Sequence, residues 1–348
     1  EAKELFYDKD FLNNVDQNPY LLCFNNYVID FKQKTHRNGH PEDYISKTTN
    51  IDYIPIDKFT DKEHSIKDEI YQFIEELFPD NDLRNYMWQH LASSLIGTNE
   101  NQTFNIYTGS GRNGKSKLVD LMSRAMGDYK ATVPVTLVTQ KRNNIGGTSS
   151  EIVQLMGVRY AVMQEPTKGD KINEGIMKEI TGGDPIQGRA LFNTLFDIKS
   201  NDHGTWRRIR VCDFMSKFLE KPYEDEDKFP KNEYPYQYPI DKRIDEKFEK
   251  WAPVLMSILV DMVYKNNGGV KDCSIVLGSS DQYREGQDYL AEFAKEKIMK
   301  SNGGSIKKSE LVEEFKKWYT INYGKYLPKA RELYDYMDKR YGKYVGKW

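Results

Sequence analysis

The sequence predicts an α/β fold built on a parallel sheet, and this prediction rests on a few segments. Residues 104–108 (FNIYT) form a short β-prone run that enters the glycine-rich text GSGRNGKS at residues 109–116. Apolar residues then recur at helical spacing through residues 117–126. Two further β-prone runs, residues 159–163 (RYAVM) and 209–214 (IRVCDF), follow with helical text between them. Strands that alternate with helices around such a loop imply a parallel sheet.

The glycine-rich text matches the phosphate-binding P-loop template G-x-x-x-x-G-K-[ST] at every fixed position. Its glycines let backbone N–H groups surround phosphates, and the next helix N-terminus adds partial positive charge. We expect Lys115 to reach the β- and γ-phosphates and the Ser116 hydroxyl to ligate Mg²⁺. A glycine-rich turn that binds nothing is the alternative, and the flanking strand and helix argue against it. The predicted cofactors are ATP and Mg²⁺, and the predicted binding residues are Gly109, Ser110, Gly111, Arg112, Asn113, Gly114, Lys115, Ser116 and Lys117.

Composition excludes several classes of protein. The 348 residues carry a net charge of −2, so any nucleic-acid binding must be local. No apolar run approaches the roughly 20 residues of a membrane span, and no secretory signal is visible. The three cysteines lie far apart, which argues against a zinc knuckle and a disulfide framework, so we expect reduced, intracellular conditions. The chain begins with Glu1, as a fragment of a longer protein would.

The segments on either side of the nucleotide-binding domain are predicted to form smaller units. Apolar runs around Asn25 and Asn26 predict a hairpin with these residues at positive-φ turn positions, and residues 61–96 read as helical. Residues 221–239, rich in Pro, Tyr and acids, read as a solvated connector. The predicted regions are an N-terminal α+β adaptor and helical collar (1–100), the ATPase domain (101–220), a linker with a helical subdomain (221–270) and a C-terminal helical or winged-helix domain (271–348).

The C-terminal residues 307–347 interleave many Lys and Arg with Tyr and Trp. This pattern suits phosphate contact together with base stacking, so the region is a candidate for DNA binding. Because Lys and Tyr are abundant throughout the chain, a solvated helical surface explains the pattern equally well.

Hydrolysis needs an acid and a cation besides the P-loop. Glu165 follows the buried-looking run RYAVM, so we expect it at the end of a strand next to the P-loop strand, beside the metal and the attacking water. Arg207 and Arg208 stand on a turn before a strand, where a guanidinium could stabilise charge on the γ-phosphate. Arg210, two residues on, competes for that role.

Four motifs in this order resemble those of the superfamily 3 helicases, specifically the poxvirus-type primase-helicases of large DNA viruses and their phage relatives. The motifs are GSGRNGKS, RYAVMQEP, KEITGGDPIQGRALF and GTWRRIRVCDF. The likeness extends upstream to NPYLLCFNNYVIDF and PEDYIS and downstream to YREGQDYLAEF, so it covers most of the chain. The resemblance implies a hexameric AAA+ ring that hydrolyses ATP and translocates along one DNA strand through its central channel.

The resemblance also implies roles for individual residues. Glu165 becomes the Walker B acid that serves Mg²⁺ and water, and Arg208 the arginine finger that acts on ATP held by the neighbouring subunit. Single-stranded or forked DNA is the implied partner, the host-cell cytoplasm the implied location, and a primase domain could precede this segment. The family's additional B′ motif takes in Gly182, Gly183, Asp184 and Arg189.

The sequence departs from the family's pattern at two places. Gln164 precedes Glu165 where many members have two adjacent acids, so a single carboxylate serves both tasks or an acid elsewhere helps. Phe192 runs directly into Asn193, where the family has a DNA-contacting hairpin and a strand ending in the sensor Asn, about fifteen residues in all. Either the protein lost them or the sequence is joined across them. We favour the second, with Asn193 as the sensor, because losing a central strand would leave its neighbours unpaired.

Three functions compete for this sequence. The leading hypothesis is the ATP-driven motor of a replicative DNA helicase. An ATPase that packages or remodels nucleic acid without unwinding it shares the same P-loop chemistry. The third is an assembly scaffold in which ATP only locks a ring together.

Overall fold

A computed structural model describes residues 11–139, 155–163, 171–182, 188–191, 198, 203–286, 288–299, 304–323, 327 and 330–348. The chain divides into two compact units, Glu1–Asp281 and Gln282–Trp348, which we describe one at a time. Among the described residues, no helix is both long enough and apolar enough to cross a membrane.

The first unit begins with a small antiparallel sheet, in the order β1-β2-β3. The predicted hairpin between β1 and β2 is confirmed, but its turn differs from the prediction. Neither Asn25 nor Asn26 has a positive φ. Instead, the Asn26 side chain donates to the Tyr53 carbonyl (3.0 Å) and accepts from the Tyr53 N–H (2.8 Å), so it ties the turn to a later segment. The strands are Leu21–Cys23 (β1), Val28–Asp30 (β2) and Thr35–Arg37 (β3).

The predicted helical stretch after this sheet is two helices, Asp61–Leu77 (α2) and Asn81–Ser93 (α3). Glu63 accepts from the Thr60 N–H (2.9 Å) and starts α2, and Asp80 accepts from two N–H groups in the first turn of α3. Pro79 lies between the two helices. A proline disfavours the helical conformation in the residue before it, and Phe78, which precedes Pro79, is the non-helical residue that ends α2. The buried face of α2 is formed by Ile70, Phe73, Ile74 and Leu77.

The predicted parallel α/β sheet is confirmed. Its strands are all parallel and lie in the order β5-β6-β7-β4-β8. The strand β4 leads through the P-loop into helix α4 (Lys115–Met126), which starts two residues earlier than the sequence pattern indicated. The strands are Phe104–Thr108 (β4), Lys130–Val133 (β5), Tyr160–Met163 (β6), Gly188–Leu191 (β7) and Ile209–Asp213 (β8).

Strand β7 occupies the place where we expected the sheet to lack a strand. Ala190 lies opposite Ile106 of β4 on one side and Met163 of β6 on the other. The sheet is therefore continuous among the described residues, because residues 188–191 form its central strand. We favoured a joined sequence because β4 and β6 would otherwise lack a neighbouring strand, and β7 fills that position. The junction at 192–193 itself lies outside the described residues, so the missing length stays a prediction.

Helix α8 (Ile244–Asn266) connects the parts of the first unit by packing against α2, α3 and α4. The resulting core extends from Leu22 near the start of the chain to Val276 near the end of the unit. The other elements of this unit are Phe11–Asn14 (α1), Thr136–Thr139 (α5), Glu174–Ile180 (α6), His203–Trp206 (α7), Lys217–Leu219 (β9), Gln237–Pro239 (β10) and Ser274–Gly286 (α9), whose last residues enter the second unit.

The second unit is mainly helical in its described residues, with Tyr289–Lys297 (α10), Lys308–Tyr323 (α11) and Ala330–Tyr341 (α12). Its own core packs aromatic and aliphatic side chains from all three helices. The predicted helical character is confirmed for these residues, and no strand of a winged-helix domain is present among them. The buried side chains include Phe293, Leu311, Phe315, Trp318, Leu333 and Met337.

Candidate functional site

A cleft of about 1120 Å³ opens at the carboxyl edge of β4, where the P-loop lies. Its volume is slightly above the range of about 300–1,000 Å³ for small-molecule sites, so it can accommodate a nucleotide. One wall is formed by residues 112–117 and another by Phe73 and Glu76 of α2. The facing wall comes from twelve residues between Phe218 and Ile244, five of which belong to the acidic segment 221–239 that we interpreted as a solvated connector. Lys221, Glu224 and Asp225 are exposed, as that interpretation expects, but the segment also forms part of a cleft wall, which the interpretation did not include.

The glycines of the P-loop adopt backbone conformations that other residues rarely take. Gly114 has a φ of 76°, and a Cβ atom added there would lie 2.3 Å from a methyl carbon of Leu77. Gly109 has a φ of 154°, and its added Cβ would lie 2.9 Å from the Phe214 carbonyl oxygen. The loop is therefore in close contact with α2 and with the residue after β8, and larger residues would displace it.

The polar side chains of the P-loop differ in their surroundings. Lys115 is buried, whereas Ser116 is exposed at the first turn of α4. Asn113 is buried, and its side-chain nitrogen has no hydrogen-bond partner. A buried unsatisfied donor in a glycine-rich loop at a helix N-terminus is what an anionic group would satisfy, so these residues suit nucleotide phosphates. Lys117 also lines the cleft, but its ammonium is bound to Asp245 of α8 at 2.6 Å.

The arginines predicted to assist hydrolysis lie at the other end of the sheet. The Phe104 N–H donates to the Arg208 carbonyl (2.7 Å), which places Arg208 at the amino ends of β4 and β8. The P-loop follows the carboxyl end of β4, and five strand residues span roughly 16 Å. Because this exceeds the reach of an arginine side chain, Arg208 cannot contact a phosphate held by its own P-loop. The Arg208 guanidinium donates to the Gly204 carbonyl at 2.5 Å.

The neighbouring arginines have separate partners. Arg207 is exposed and donates to the side chain of Gln102 at 3.1 Å. Arg210 is buried and is held by Asp272 through two nitrogens, at 2.9 and 2.8 Å. The two contacts with Asp272 give Arg210 a structural role between β8 and the segment before α9.

Several predicted site residues lie outside the described residues, namely Glu165, Asn193, Gly183 and Asp184. Gly182 follows α6, and Arg189 lies in β7, where its backbone is opposite Asn105. Glu165 comes two residues after β6, whose carboxyl end is at the same edge of the sheet as the P-loop. The expectation that this acid ends a strand next to β4 was wrong, because β7 lies between β6 and β4.

Several C-terminal aromatic residues in the region that we named as a candidate for DNA binding have contacts within their own unit. Trp318 is in the core. The Lys308 ammonium lies 4.7 Å from the ring centre of Tyr334, 4.4 Å from that of Tyr344 and 5.6 Å from that of Trp348. The exposed basic side chains at the end of this unit are Lys339, Arg340, Lys343 and Lys347.

Sequence reasoning missed the segment that forms the cleft wall facing the P-loop, including Phe218, Phe229 and Ile240. It also missed Lys217, which lies directly behind the loop. The available signal was a cation four residues after the end of β8, the strand that neighbours the P-loop strand. Its acidic and Pro-rich surroundings concealed that signal, because such text is typical of solvated connectors.

Comparisons with known proteins identify similar sequences in large DNA viruses. Residues 1–79 match the family described as "D5 N terminal like". The chain is 34% identical to "Putative helicase" of Acanthamoeba polyphaga mimivirus, over 98% of this chain and 37% of that protein. It is 29% identical to "Putative helicase" of Invertebrate iridescent virus 3, over 95% of this chain and 39% of that one. It is 25% identical to "Putative primase" of African swine fever virus, over 92% of this chain and 35% of that protein.

The chain thus spans well under half the length of these viral relatives. Among solved structures, the A form apo structure of the NrS-1 C terminal region aligns over 79% of this chain and 71% of that chain. The sequence identity is 12% and the TM-score 0.41.

Proposed function

We propose that this chain, which belongs to the D5-type primase-helicase family of large DNA viruses, is the ATP-driven motor of a viral DNA helicase. The separation of its chemical groups supports the proposal best. Lys115 and Ser116 are at the carboxyl end of the sheet, and Arg208 is at the amino end. One subunit cannot bring these groups together, whereas subunits that repeat head to tail around a ring can. A hexamer is the ring that the family resemblance favours.

Within the cleft, the backbone of the P-loop, the Asn113 amide and Lys115 would hold the phosphates. Ser116 and Glu165 would hold Mg²⁺, which neutralises charge on the β- and γ-phosphate oxygens when it is bound. Glu165 would also orient the attacking water, and Arg208 of the neighbouring subunit would stabilise the transition state.

The strand order suits an AAA+ arrangement, which we propose for this domain. The P-loop strand β4 is flanked by β7 and β8, and β6 lies beyond β7. Asn193 comes two residues after β7, so in this arrangement it would follow the strand between the P-loop and Glu165. That position suits a sensor residue that contacts both the γ-phosphate and the water. The proposal therefore needs no additional strand between Phe192 and Asn193.

The test is ATP hydrolysis by the purified chain with and without single-stranded DNA, together with strand displacement on a forked duplex. We expect hydrolysis that single-stranded DNA stimulates, strand displacement that needs ATP, and rings visible by electron microscopy with ATP. Hydrolysis that DNA does not affect would favour the scaffold. Stimulated hydrolysis without strand displacement would favour the packaging or remodelling ATPase.

A further inference from the structure

We propose that Lys217 is a positioning residue that aims the backbone N–H groups of the P-loop at the nucleotide phosphates. The inference rests on the proposed binding of a nucleoside triphosphate in the cleft. It concerns a residue on β9, outside the P-loop motif, and a segment that the sequence did not associate with the site.

Three consecutive carbonyl groups of the P-loop point toward β9. The Lys217 ammonium donates to the carbonyls of Ser110 (3.0 Å) and Gly111 (2.7 Å). The next carbonyl, that of Arg112, accepts from the Phe218 N–H at 2.8 Å. Two adjacent residues of one strand therefore fix three adjacent peptide groups of the loop.

The orientation of these carbonyls determines the orientation of the N–H groups. In a trans peptide the N–H points away from the carbonyl of the same peptide unit. Carbonyls that face β9 therefore direct the N–H groups of Gly111, Arg112 and Asn113 toward the opposite side of the loop. Successive N–H groups that point the same way form an anion-binding concavity, so this arrangement prepares the loop for phosphate before the nucleotide arrives.

The surroundings of Lys217 keep its ammonium in place. The residue is 3% exposed, and its ammonium lies 5.6 Å from the ring centre of Phe229 and 4.9 Å from that of Tyr234. The Gln237 side chain donates to the carbonyls of Phe229 (2.9 Å) and Tyr234 (3.1 Å), which holds both rings in the loop between β9 and β10. The residues between these strands are therefore a support for the P-loop and not only a connector.

No carboxylate in the described part of the chain forms an ion pair with Lys217. Within the described residues, carbonyl dipoles and aromatic faces surround this charge. Burial, and to a smaller extent the nearby Arg112, lowers the pKa of the Lys217 ammonium. A bound triphosphate would supply negative charge on the other side of the same peptide groups, so ligand binding and this cation favour each other.

The experiment measures the Kd of a fluorescent ATP analogue with Mg²⁺, and KM and kcat for ATP, in a graded set of variants. Lys217→Met removes the charge and all donors, and Lys217→Gln keeps N–H donors without the charge. The control Lys228→Met removes an exposed cation from the same loop, where it does not line the cleft.

We expect Lys217→Met to raise Kd and KM at least tenfold with kcat reduced less than threefold, Lys217→Gln to lie between Lys217→Met and the wild type, and Lys228→Met to match the wild type. A general loss of structure would instead lower kcat and the melting temperature together. Wild-type Kd and KM in Lys217→Met would overturn the inference.

If circular dichroism shows that Lys217→Met does not fold, Lys217→Gln decides the question, and wild-type KM in that variant would equally overturn the inference. The proposed function fails separately, if the wild-type protein itself binds no MgATP analogue.

Discussion

The two edges of the central sheet are built in different ways. At the carboxyl edge, the P-loop is enclosed by α2, by β9 and by the segment that follows it, and these form a cleft of about 1120 Å³. At the amino edge, Arg207 is exposed and Arg208 donates to the carbonyl of nearby Gly204. No lining residue of the described cleft comes from the amino edge. The first edge is a pocket, and the second holds arginines that lie out of reach of that pocket.

The largest effect is expected at the carboxyl edge. Lys115→Ala should reduce ATP hydrolysis to the background of the buffer, because the missing charge would contact phosphate in both the bound and transition states. The measurement is steady-state release of phosphate. The control Lys62→Ala, an exposed lysine in the first turn of α2, should keep wild-type turnover. Wild-type turnover in Lys115→Ala would refute the assignment of the P-loop.

The amino edge should show a comparable loss for a different reason. Arg208→Ala should still bind ATP and form rings, yet lose hydrolysis by on the order of a thousandfold, as when an arginine finger is removed. A titration with a fluorescent ATP analogue, electron microscopy and an ATPase assay check the three parts.

Mixing Arg208→Ala with Lys115→Ala protein compares the two edges directly. Some activity should return, because mixed rings contain subunit interfaces that pair an intact P-loop with an intact Arg208. Rings of either variant alone contain no such interface. A mixture that stays inactive despite demonstrated subunit exchange would argue that Arg208 acts structurally or that turnover needs several competent sites. Arg207→Ala, tested in the same way, shows whether the role belongs to the exposed neighbour.

Glu165→Gln should separate binding from hydrolysis at the carboxyl edge. The amide keeps the shape of the side chain and loses the carboxylate that positions water, so hydrolysis should fall by on the order of 10²–10⁴-fold. ATP affinity should stay within a few-fold of wild type by titration. If most of the activity remains, the catalytic carboxylate lies elsewhere. Glu165 is preceded by Gln164 and not by a second acid, so an acid from another segment could serve instead.

The sequence predicted the carboxyl edge better than its surroundings. GSGRNGKS has a fixed spacing because the chemistry of phosphate binding is local, so Lys115 could be placed from the sequence alone. The support for that loop is not local. Lys217 lies about a hundred residues away, and only the pairing of β4 with β8 brings β9 behind the P-loop. The hairpin at Asn26 was predicted for the same local reasons, whereas its bond to Tyr53 depends on tertiary packing.

Arg210→Ala should affect stability and not chemistry, which sharpens the comparison among the three arginines of the amino edge. Losing the two contacts with Asp272 should lower the free energy of unfolding by about 1.5–3 kcal/mol, the range for hydrogen bonds to charged groups. Urea denaturation measures this. The control Lys265→Ala breaks an exposed pair with Asp261 and should cost about 0.5 kcal/mol or less. Unchanged stability with lost hydrolysis would instead make Arg210 a candidate finger.

The smallest effect is expected in the second unit, which lies outside both edges. Residues 307–348 carry eleven Lys and Arg against six Asp and Glu, and four exposed cations are near the end of α12. Deleting the region would also remove Phe315 and Trp318 from the core, so it cannot separate charge from folding. Changing Lys339, Arg340, Lys343 and Lys347 to Gln together avoids this.

If these four cations contact DNA phosphates, the affinity for single-stranded DNA should fall on the order of tenfold at low salt. The slope of log affinity against log salt should also become shallower, by up to about 3. A protein that neutralises fewer phosphates displaces fewer counterions when it binds. Fluorescence anisotropy across a salt series measures both quantities. A control in which Lys32, Lys34, Lys58 and Lys62 become Gln changes the net charge equally on the first unit. Equal losses in both variants would mean that only net charge matters. No loss in the C-terminal variant, with ATPase activity intact, would show that these four cations do not contact DNA.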